Sequence, residues 1–215
     1  MANVATSIEK ILQEVRNLQR TEIGEVAEEF DSMKQVGSST MAHKKNPITA
    51  ENACGLARIV RSMIIPSYEN ALLWHERDLA NSSSERFTLS HSMILLDDVI
   101  SKCDKVLSGL VVDRDRMRKN IDDQKGLIMA EKVMLELVDR GMPRDSAHEE
   151  LRSASMEAVE SDSNLEEICR NYDEIMKLFE EEEFAGLFAP ESHLGSSEEI
   201  VVNSVSMARE LCSEY

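Results

Sequence analysis

The 215-residue sequence is poor in aromatic side chains, which make up only 4% of its residues. It also lacks a sustained alternation of apolar and polar residues, the pattern that is typical of half-buried strands. Methionine, leucine, isoleucine, alanine and glutamate are plentiful instead, and most of these residues favour helices. The sequence therefore predicts an all-α protein, with enough chain for one large or two small domains.

Long apolar runs and paired cysteines are also missing. No run reaches the roughly 18 residues of a membrane-spanning helix, and the first residues do not resemble a secretory signal peptide. The four cysteines, Cys54, Cys103, Cys169 and Cys212, are scattered and form no CxxC pair. This spacing indicates isolated thiols rather than a disulfide framework or a metal site. We expect a soluble protein of the reducing cytoplasm, without a membrane partner.

Basic residues are in short supply, because 24 lysines and arginines face 41 acidic residues, for a formal net charge of −17. This charge argues against nucleic acid as a general partner, since a duplex would be repelled. The excess is uneven: residues 113–215 carry 26 acidic and 12 basic side chains, whereas residues 1–112 carry 15 and 12. An anionic ligand is therefore better tolerated in the first part of the chain.

One unusual stretch, residues 37–47 (GSSTMAHKKNP), lies between two segments with helical apolar spacing. This spacing predicts a long helix over residues 4–32 and another from Ile48 to about Met63, with a break near Pro66. The stretch combines a flexible glycine, hydroxyls and clustered cations, which together suit the binding of an anion. We interpret it as a functional loop.

Two further features flank this loop. Glu51, one turn into the second helix, either orients a loop side chain or is a carboxylate favoured by the helix dipole. The preceding helix has a polar face that suits either solvent or the wall of a site. Its residues are Gln13, Arg16, Asn17, Gln19, Arg20 and Thr21.

A second unusual stretch, residues 70–86, holds the only tryptophan, two arginines and three consecutive serines. Arginine forks and serine hydroxyls near a helix start are suited to carboxylate or phosphate oxygens. Alternatively, Ser83 or Ser84 simply caps the next helix, predicted from Phe87 to about Val111, while the arginines form surface ion pairs.

The composition changes near residue 112, which we interpret as a domain boundary. Beyond it the chain becomes shorter, charge-rich helical segments, and Gly141-Met142-Pro143 marks the end of one helix and the start of another. The acidic run at residues 180–183 is interpreted as a solvated helix end or turn. Helices are predicted at about 113–121, 125–140, 144–160, 164–179 and 196–213.

The 37–47 stretch resembles the GSSxMPxKxNP signature of the fumarase/aspartase superfamily, with Ala42 where proline is usual. Trp74-His75-Glu76-Arg77-Asp78 and Ser83-Ser84-Glu85-Arg86 are similar to the adenylosuccinate lyase branch in particular. Gly126-Leu127-Ile128 and Gly141-Met142 continue the resemblance, which runs over essentially the whole chain.

The resemblance implies that residues 1–112 are part of the family's central helical bundle, with the signature loop at 37–47. Residues 113–215 then correspond to its C-terminal helical domain. Family members are roughly twice as long, and their general-acid histidine is expected outside this chain. The chain alone is therefore expected to be inactive.

The activity implied by the resemblance is β-elimination without a metal or other cofactor. Adenylosuccinate would give AMP and fumarate, and the succinyl-carboxamide ribotide of purine synthesis would give aminoimidazole carboxamide ribotide and fumarate. Ser38 would be the base, with Ser39 as the alternative, Lys44 would stabilise the dianionic intermediate, and Glu51 would position neighbouring groups. The implied substrate-binding residues are Ser39, Thr40, His43, Asn46, Arg77, Ser82 and Arg86.

Such active sites are shared between subunits of a homotetramer, and the apolar faces of the predicted long helices agree with an oligomer. Two other interpretations stay open. One is a carboxymuconate cycloisomerase, which shares the loop signature but lacks the serine-rich arrangement between Arg77 and Arg86. The other is a non-catalytic helical assembly subunit.

Overall fold

The computed structural model describes residues 1–29 and 45–213, and these residues are predominantly helical. The α-helices are α1 (Ala2–Leu18), α2 (Ile48–Ser62), α3 (Ile64–Glu69), α4 (Ala80–Ser108), α5 (Arg114–Asp122), α6 (Ala130–Asp139), α7 (Arg144–Glu160), α8 (Leu165–Cys169), α9 (Asp173–Met176), α10 (Glu181–Leu187) and α11 (Ser197–Ser213). Two-residue strands, β1 (Val26–Ala27) and β2 (Val111–Val112), pair in antiparallel fashion. The predicted all-α class is confirmed apart from this small ladder.

The chain divides into two compact units, Met1–Met117 and Arg118–Tyr215. The functional identities predicted for residues 1–112 and 113–215, as a central bundle domain and a C-terminal domain, stay predictions. Within residues 1–29 and 45–213, no helix is both long enough and apolar enough to cross a membrane.

In the first unit, α1, α2 and α4 pack side by side, with α2 antiparallel to the other two. The face of α2 that lies between them carries small residues at helical spacing, which lets the helix axes approach closely. Its buried residues are Ala50, Ala53, Cys54, Ala57 and Val60. Near the start of α2 the core contains Leu12 and Cys103, and near its end it contains Ala5.

The prediction of one helix over residues 4–32 is wrong, because α1 ends at Leu18. The chain turns at Gly24, whose φ of +66° is a conformation that glycine adopts at little cost. Val26, which had suggested continued helical spacing, is instead buried in β1 opposite Val112. A two-residue pairing is too short to produce a recognisable strand pattern in the sequence.

The second predicted helix is confirmed as α2, but the break comes at Met63, and Pro66 lies inside the short helix α3. The capping role offered for Ser83 or Ser84 is wrong, because α4 begins at Ala80, before either serine. The side chain of Asp78 accepts the backbone N–H of Ala80 at 2.8 Å instead.

The second unit has its own core, built mainly from α6, α7 and α8 around the aromatic ring of Phe184. The helix stop and restart are confirmed, because α6 is followed by Gly141 at φ +99° and α7 begins at Arg144. The single helix predicted over 164–179 is wrong, since α8 and α9 are separate. The acidic run beginning at Glu180 forms the start of a further helix, α10, closed by a capping box with Glu183.

Candidate active site

An open cleft of about 760 Å³ lies between the end of α1 and the start of α2 in the first unit. The polar face of α1 and the residues just after its end form one wall, so these residues line a cavity rather than a flat, solvent-exposed surface. The first residues of α2 and those just before it form the other wall. The lining residues are Gln13, Arg16, Asn17, Gln19, Arg20, Thr21, Ala27, Lys45, Asn46, Pro47 and Glu51.

Among residues 1–29 and 45–213, the titratable lining of the cleft is cationic, with Arg16, Arg20 and Lys45 against the carboxylate of Glu51. Arg16 is held in place by its Nη1 group, which donates to Oε1 of Gln13 at 2.7 Å. Its buried Nε has no hydrogen-bond partner among residues 1–29 and 45–213. A cleft of this charge suits a ligand with carboxylate or phosphate groups.

A cysteine lies behind the cationic wall. Burial raises the pKa of the Cys54 thiol, and the neighbouring Arg16 guanidinium partly offsets this rise. The net direction keeps Cys54 a neutral thiol at physiological pH, so it packs as a small apolar residue rather than acting as a nucleophile.

The start of α2 is capped by a side chain from a distant segment. Glu28, only 8% exposed, accepts the backbone N–H of Ala50 at 2.6 Å and that of Thr49 at 3.2 Å. Its own N–H donates to Oε1 of Gln19 at 3.0 Å, and Nε2 of Gln19 donates to the carbonyl of Lys45 at 3.2 Å. The end of α1, the segment after β1 and the start of α2 are therefore joined at one point.

The segment that leads to Glu28 is also held by contacts from Arg116 and Asp113. Arg116 of α5 donates from Nε to the carbonyl of Ile23 at 2.8 Å and from Nη2 to that of Glu22 at 2.9 Å. The N–H of Asp113 donates to the carbonyl of Glu25 at 2.9 Å, beside the β1–β2 pairing. These contacts fix the backbone of the turn that follows α1.

Of the residues predicted for catalysis and substrate binding, the structure brings Asn46 and Glu51 together on one wall of the cleft. Five others lie outside the described residues, and their roles stay predictions. These are Ser38, Ser39, Thr40, His43 and Lys44.

Arg77, Ser82 and Arg86 are not brought to this cleft. They lie at or near the start of α4, where both arginines are exposed and Ser82 is half-buried. The opposite end of α4 packs near the cleft, through Cys103. The 17 residues from Arg86 to Cys103 span about 25 Å at the usual helical rise. Asn46 and Glu51 therefore lie near one end of the helix bundle, and the start of α4 with Ser82 and Arg86 lies near the other.

The structure adds Lys45 and Glu28 to the residues named from the sequence. Lys45 belonged to the recognised cationic cluster but was not singled out. Glu28 had one signal that could have identified it, because Pro47 precedes α2 at the N-cap position and offers no capping side chain. A helix start of this kind needs an acceptor from elsewhere.

Two family models match the chain. A model described as adenylosuccinate lyase C-terminus matches residues 126–203, and one described as lyase matches residues 1–62. The first matches most of the second unit, and the second includes the residues of the cleft.

Curated relatives match along nearly the whole chain. An adenylosuccinate lyase of Archaeoglobus fulgidus is 45% identical over 98% of this chain and 47% of its own length. One from Pyrococcus abyssi is 47% identical over 98% of this chain and 46% of its own length. The chain spans about half the length of the curated relatives it matches.

Solved structures of the same architecture are similar too. A 3-carboxy-cis,cis-muconate lactonizing enzyme from Pseudomonas putida matches with a TM-score of 0.86 and 29% identity, over 97% of this chain and 45% of that one. A fumarate lyase from Mesorhizobium sp. BNC1 matches with a TM-score of 0.82 and 30% identity, over 94% and 44%.

Proposed function

Since this chain belongs to the adenylosuccinate lyase family, we propose that it supplies part of the active site of an enzyme that cleaves adenylosuccinate to AMP and fumarate. The same site would cleave the succinyl-carboxamide ribotide to aminoimidazole carboxamide ribotide and fumarate. The observation that carries this proposal is the cationic cleft lined by Asn46 and Glu51 at the start of α2. Both substrates are anionic, and both release a dicarboxylate.

The reaction is a β-elimination with a simple balance of protons and electrons. A base removes a proton from the carbon next to a substrate carboxylate, the C–N bond breaks, and its electron pair leaves with nitrogen. That nitrogen takes a proton from an acid. We assign the base to Ser38, with Ser39 as the alternative, and the stabilisation of the dianionic intermediate to Lys44. The general acid is expected from outside this chain.

The described residues serve this chemistry by holding the dicarboxylate. The Asn46 amide can donate to a carboxylate oxygen, while Arg16, Arg20 and Lys45 supply the positive field in which negative charge develops. A preorganised contact of this kind commonly contributes about 3–4 kcal/mol to transition-state stabilisation. Glu51 lies on the same wall and orients neighbouring donors. Thr40 and His43 complete the proposed contacts to the succinyl part.

Arg77, Ser82 and Arg86 are proposed to bind the nucleotide phosphate at a site completed by another copy. Their distance of about 25 Å from the cleft along α4 is too large for one small substrate to reach both within one chain. A homotetramer with shared active sites resolves this separation. The outer surface of the bundle supports association, because α4 exposes several large apolar side chains. These include Phe87, Leu89, Met93, Ile94 and Ile100. A cytoplasmic location completes the proposal.

A cycloisomerase function is the second candidate, because the Pseudomonas putida enzyme shares the fold at a TM-score of 0.86. Its identity of 29% is well below the 45% of the Archaeoglobus fulgidus lyase over a similar share of the chain. The arginines and serines between Arg77 and Arg86 also favour a phosphate-bearing substrate. A non-catalytic assembly role would not account for the cationic cleft.

The test is a chimera in which this chain replaces the matched half of the Archaeoglobus fulgidus relative. Fumarate release from adenylosuccinate and from the succinyl-carboxamide ribotide is followed by absorbance. Loss of a carboxymuconate is followed in a separate assay, because its cycloisomerisation releases no fumarate. The chimera carrying Ser38→Ala is the blank. We expect turnover of both succinyl substrates, a large fall in kcat in the blank, and no product from the isolated chain. A well-folded chimera that converts only the carboxymuconate, or none of the three, would refute the proposal.

A further inference from the structure

We infer that Glu28 and Gln19 are positioning residues for the site, which fix Asn46 and Glu51 by tying the start of α2 to the end of α1. The inference rests on the proposed function for its catalytic consequence. Its structural part stands on the contacts alone. Neither side chain needs to touch a substrate, and both act through the backbone that carries the site residues.

The first step of the argument is the unusual start of α2. The first backbone N–H groups of a helix have no partner within it, and a side chain at the N-cap position normally accepts one or two of them. Here the N-cap residue is Pro47, which makes no side-chain cap hydrogen bond. The carboxylate of Glu28, 21 and 22 residues away, accepts the N–H groups of Thr49 and Ala50 in its place.

The second step is charge and burial. A carboxylate at a helix N-terminus interacts favourably with the helix dipole, and little exposure to water strengthens this interaction. Glu28 is 8% exposed, whereas most carboxylates of this acidic chain lie on its surface. Burying a charge costs free energy unless it is well hydrogen-bonded. The buried position of Glu28 is therefore explained by the helix start that it holds.

The third step links this cap to the site. Oε1 of Gln19 accepts the N–H of Glu28, and Nε2 of Gln19 donates to the carbonyl of Lys45. Gln19 therefore bridges the segment after β1 and the segment that leads into α2. Asn46 follows Lys45 directly, and the N–H of Glu51 bonds to the carbonyl of Pro47 in the same first turn. A shift of this turn would move both predicted site residues together.

The experiment compares Glu28→Ala, Glu28→Gln, Gln19→Ala and the double alanine variant. Glu180→Ala is the matched control, because Glu180 also caps a helix, α10, but lies in the second unit. Amide hydrogen exchange at Thr49 and Ala50 is measured in the full chain. Fumarate binding is measured there by NMR titration, and kcat and KM are measured in the chimera.

We expect Glu28→Ala to abolish exchange protection at Thr49 and Ala50. It should lower kcat on the order of 100-fold with a smaller change in KM, as for a misplacement of about 1 Å. Glu28→Gln keeps one acceptor oxygen and should recover part of the loss. The kcat of the double variant should fall no further than that of the more impaired single variant, because both residues hold the same junction. Glu180→Ala should leave kcat unchanged.

Unchanged protection at Thr49 and Ala50 in Glu28→Ala would overturn the inference, whatever the activity. Lost protection with wild-type kcat and wild-type fumarate affinity would overturn it as well. If the unsubstituted chimera is inactive, the proposed reaction fails separately. Weakened fumarate binding in Glu28→Ala, but not in Glu180→Ala, would then still support the positioning role.

Discussion

The separation of the two groups of predicted site residues makes a quantitative prediction about mixed oligomers. Glu51 lies in the cleft, and Arg86 lies about 25 Å away along α4. Suppose that each active site takes its cleft from one copy and its phosphate contacts from another. Then Glu51→Ala and Arg86→Ala remove contacts that two different copies contribute to the same site. Each variant alone should lose on the order of 10²–10³-fold in activity, since every site lacks one contact.

Unfolding the two variant chimeras together and refolding them as a 1:1 mixture should restore activity. Each site then has an intact cleft with a probability of one half and an intact set of phosphate-contacting residues with the same probability. About a quarter of all sites should therefore be intact, and fumarate release should approach a quarter of the unsubstituted rate. The control mixture pairs Glu51→Ala with the double variant Glu51→Ala/Arg86→Ala, in which no site has an intact cleft. A mixture no more active than its parents would refute the shared site.

Three further predictions concern the cores. Alkylation of the native chain at pH 8 should label exposed Cys212 and spare buried Cys54, Cys103 and Cys169, as mass spectrometry would reveal; rapid labelling of all four would contradict the described packing. Burial raises the pKa of the Cys169 thiol to about 12, so the stability that it contributes is intact below the unfolded pKa near 9.0 and is lost as the pH rises toward 12. Between pH 8 and pH 11 the denaturant midpoint should therefore fall less in Cys169→Ala than in the unsubstituted chain. Replacing fully buried Phe184 by alanine should cost about 3–5 kcal/mol of unfolding free energy in the same assay, because it leaves a cavity between Phe179 and Phe188; a loss below about 1 kcal/mol would contradict this packing.

The helices that could be predicted from the sequence are those whose boundaries carry local signals. The start of α7 follows Gly141 and Pro143, and the start of α2 follows Pro47, so both were located to within a residue. The end of α1 could not be predicted, because Ile23 and Val26 continue its apolar spacing. Val26 is instead buried in a pairing with Val112, more than 80 residues away in the chain.

The features of the site also differ in whether neighbouring residues or tertiary packing determine them. Asn46 and Glu51 lie five residues apart, on either side of the start of α2, so their place on a common wall follows from the start of that helix. The polar face of α1 had two interpretations, because periodicity shows that residues share a face but not what that face meets. Only the packing of α1 against α2 decides between solvent and a cleft wall.

Motifs that are neighbours in the chain need not be neighbours in space. Glu51 and Arg86 are 35 residues apart, yet α2 runs from the cleft toward the far end of the bundle, and α4 has only begun its return there at Arg86. Glu51 and the proposed phosphate contact Arg86 therefore cannot serve one site within a single chain, and a shared site requires that another copy bring its own Arg86 to the cleft. The same helix sets a condition on its own start. A proline at the N-cap leaves the first turn of α2 to be capped from elsewhere, and in this chain the Glu28 carboxylate provides that cap.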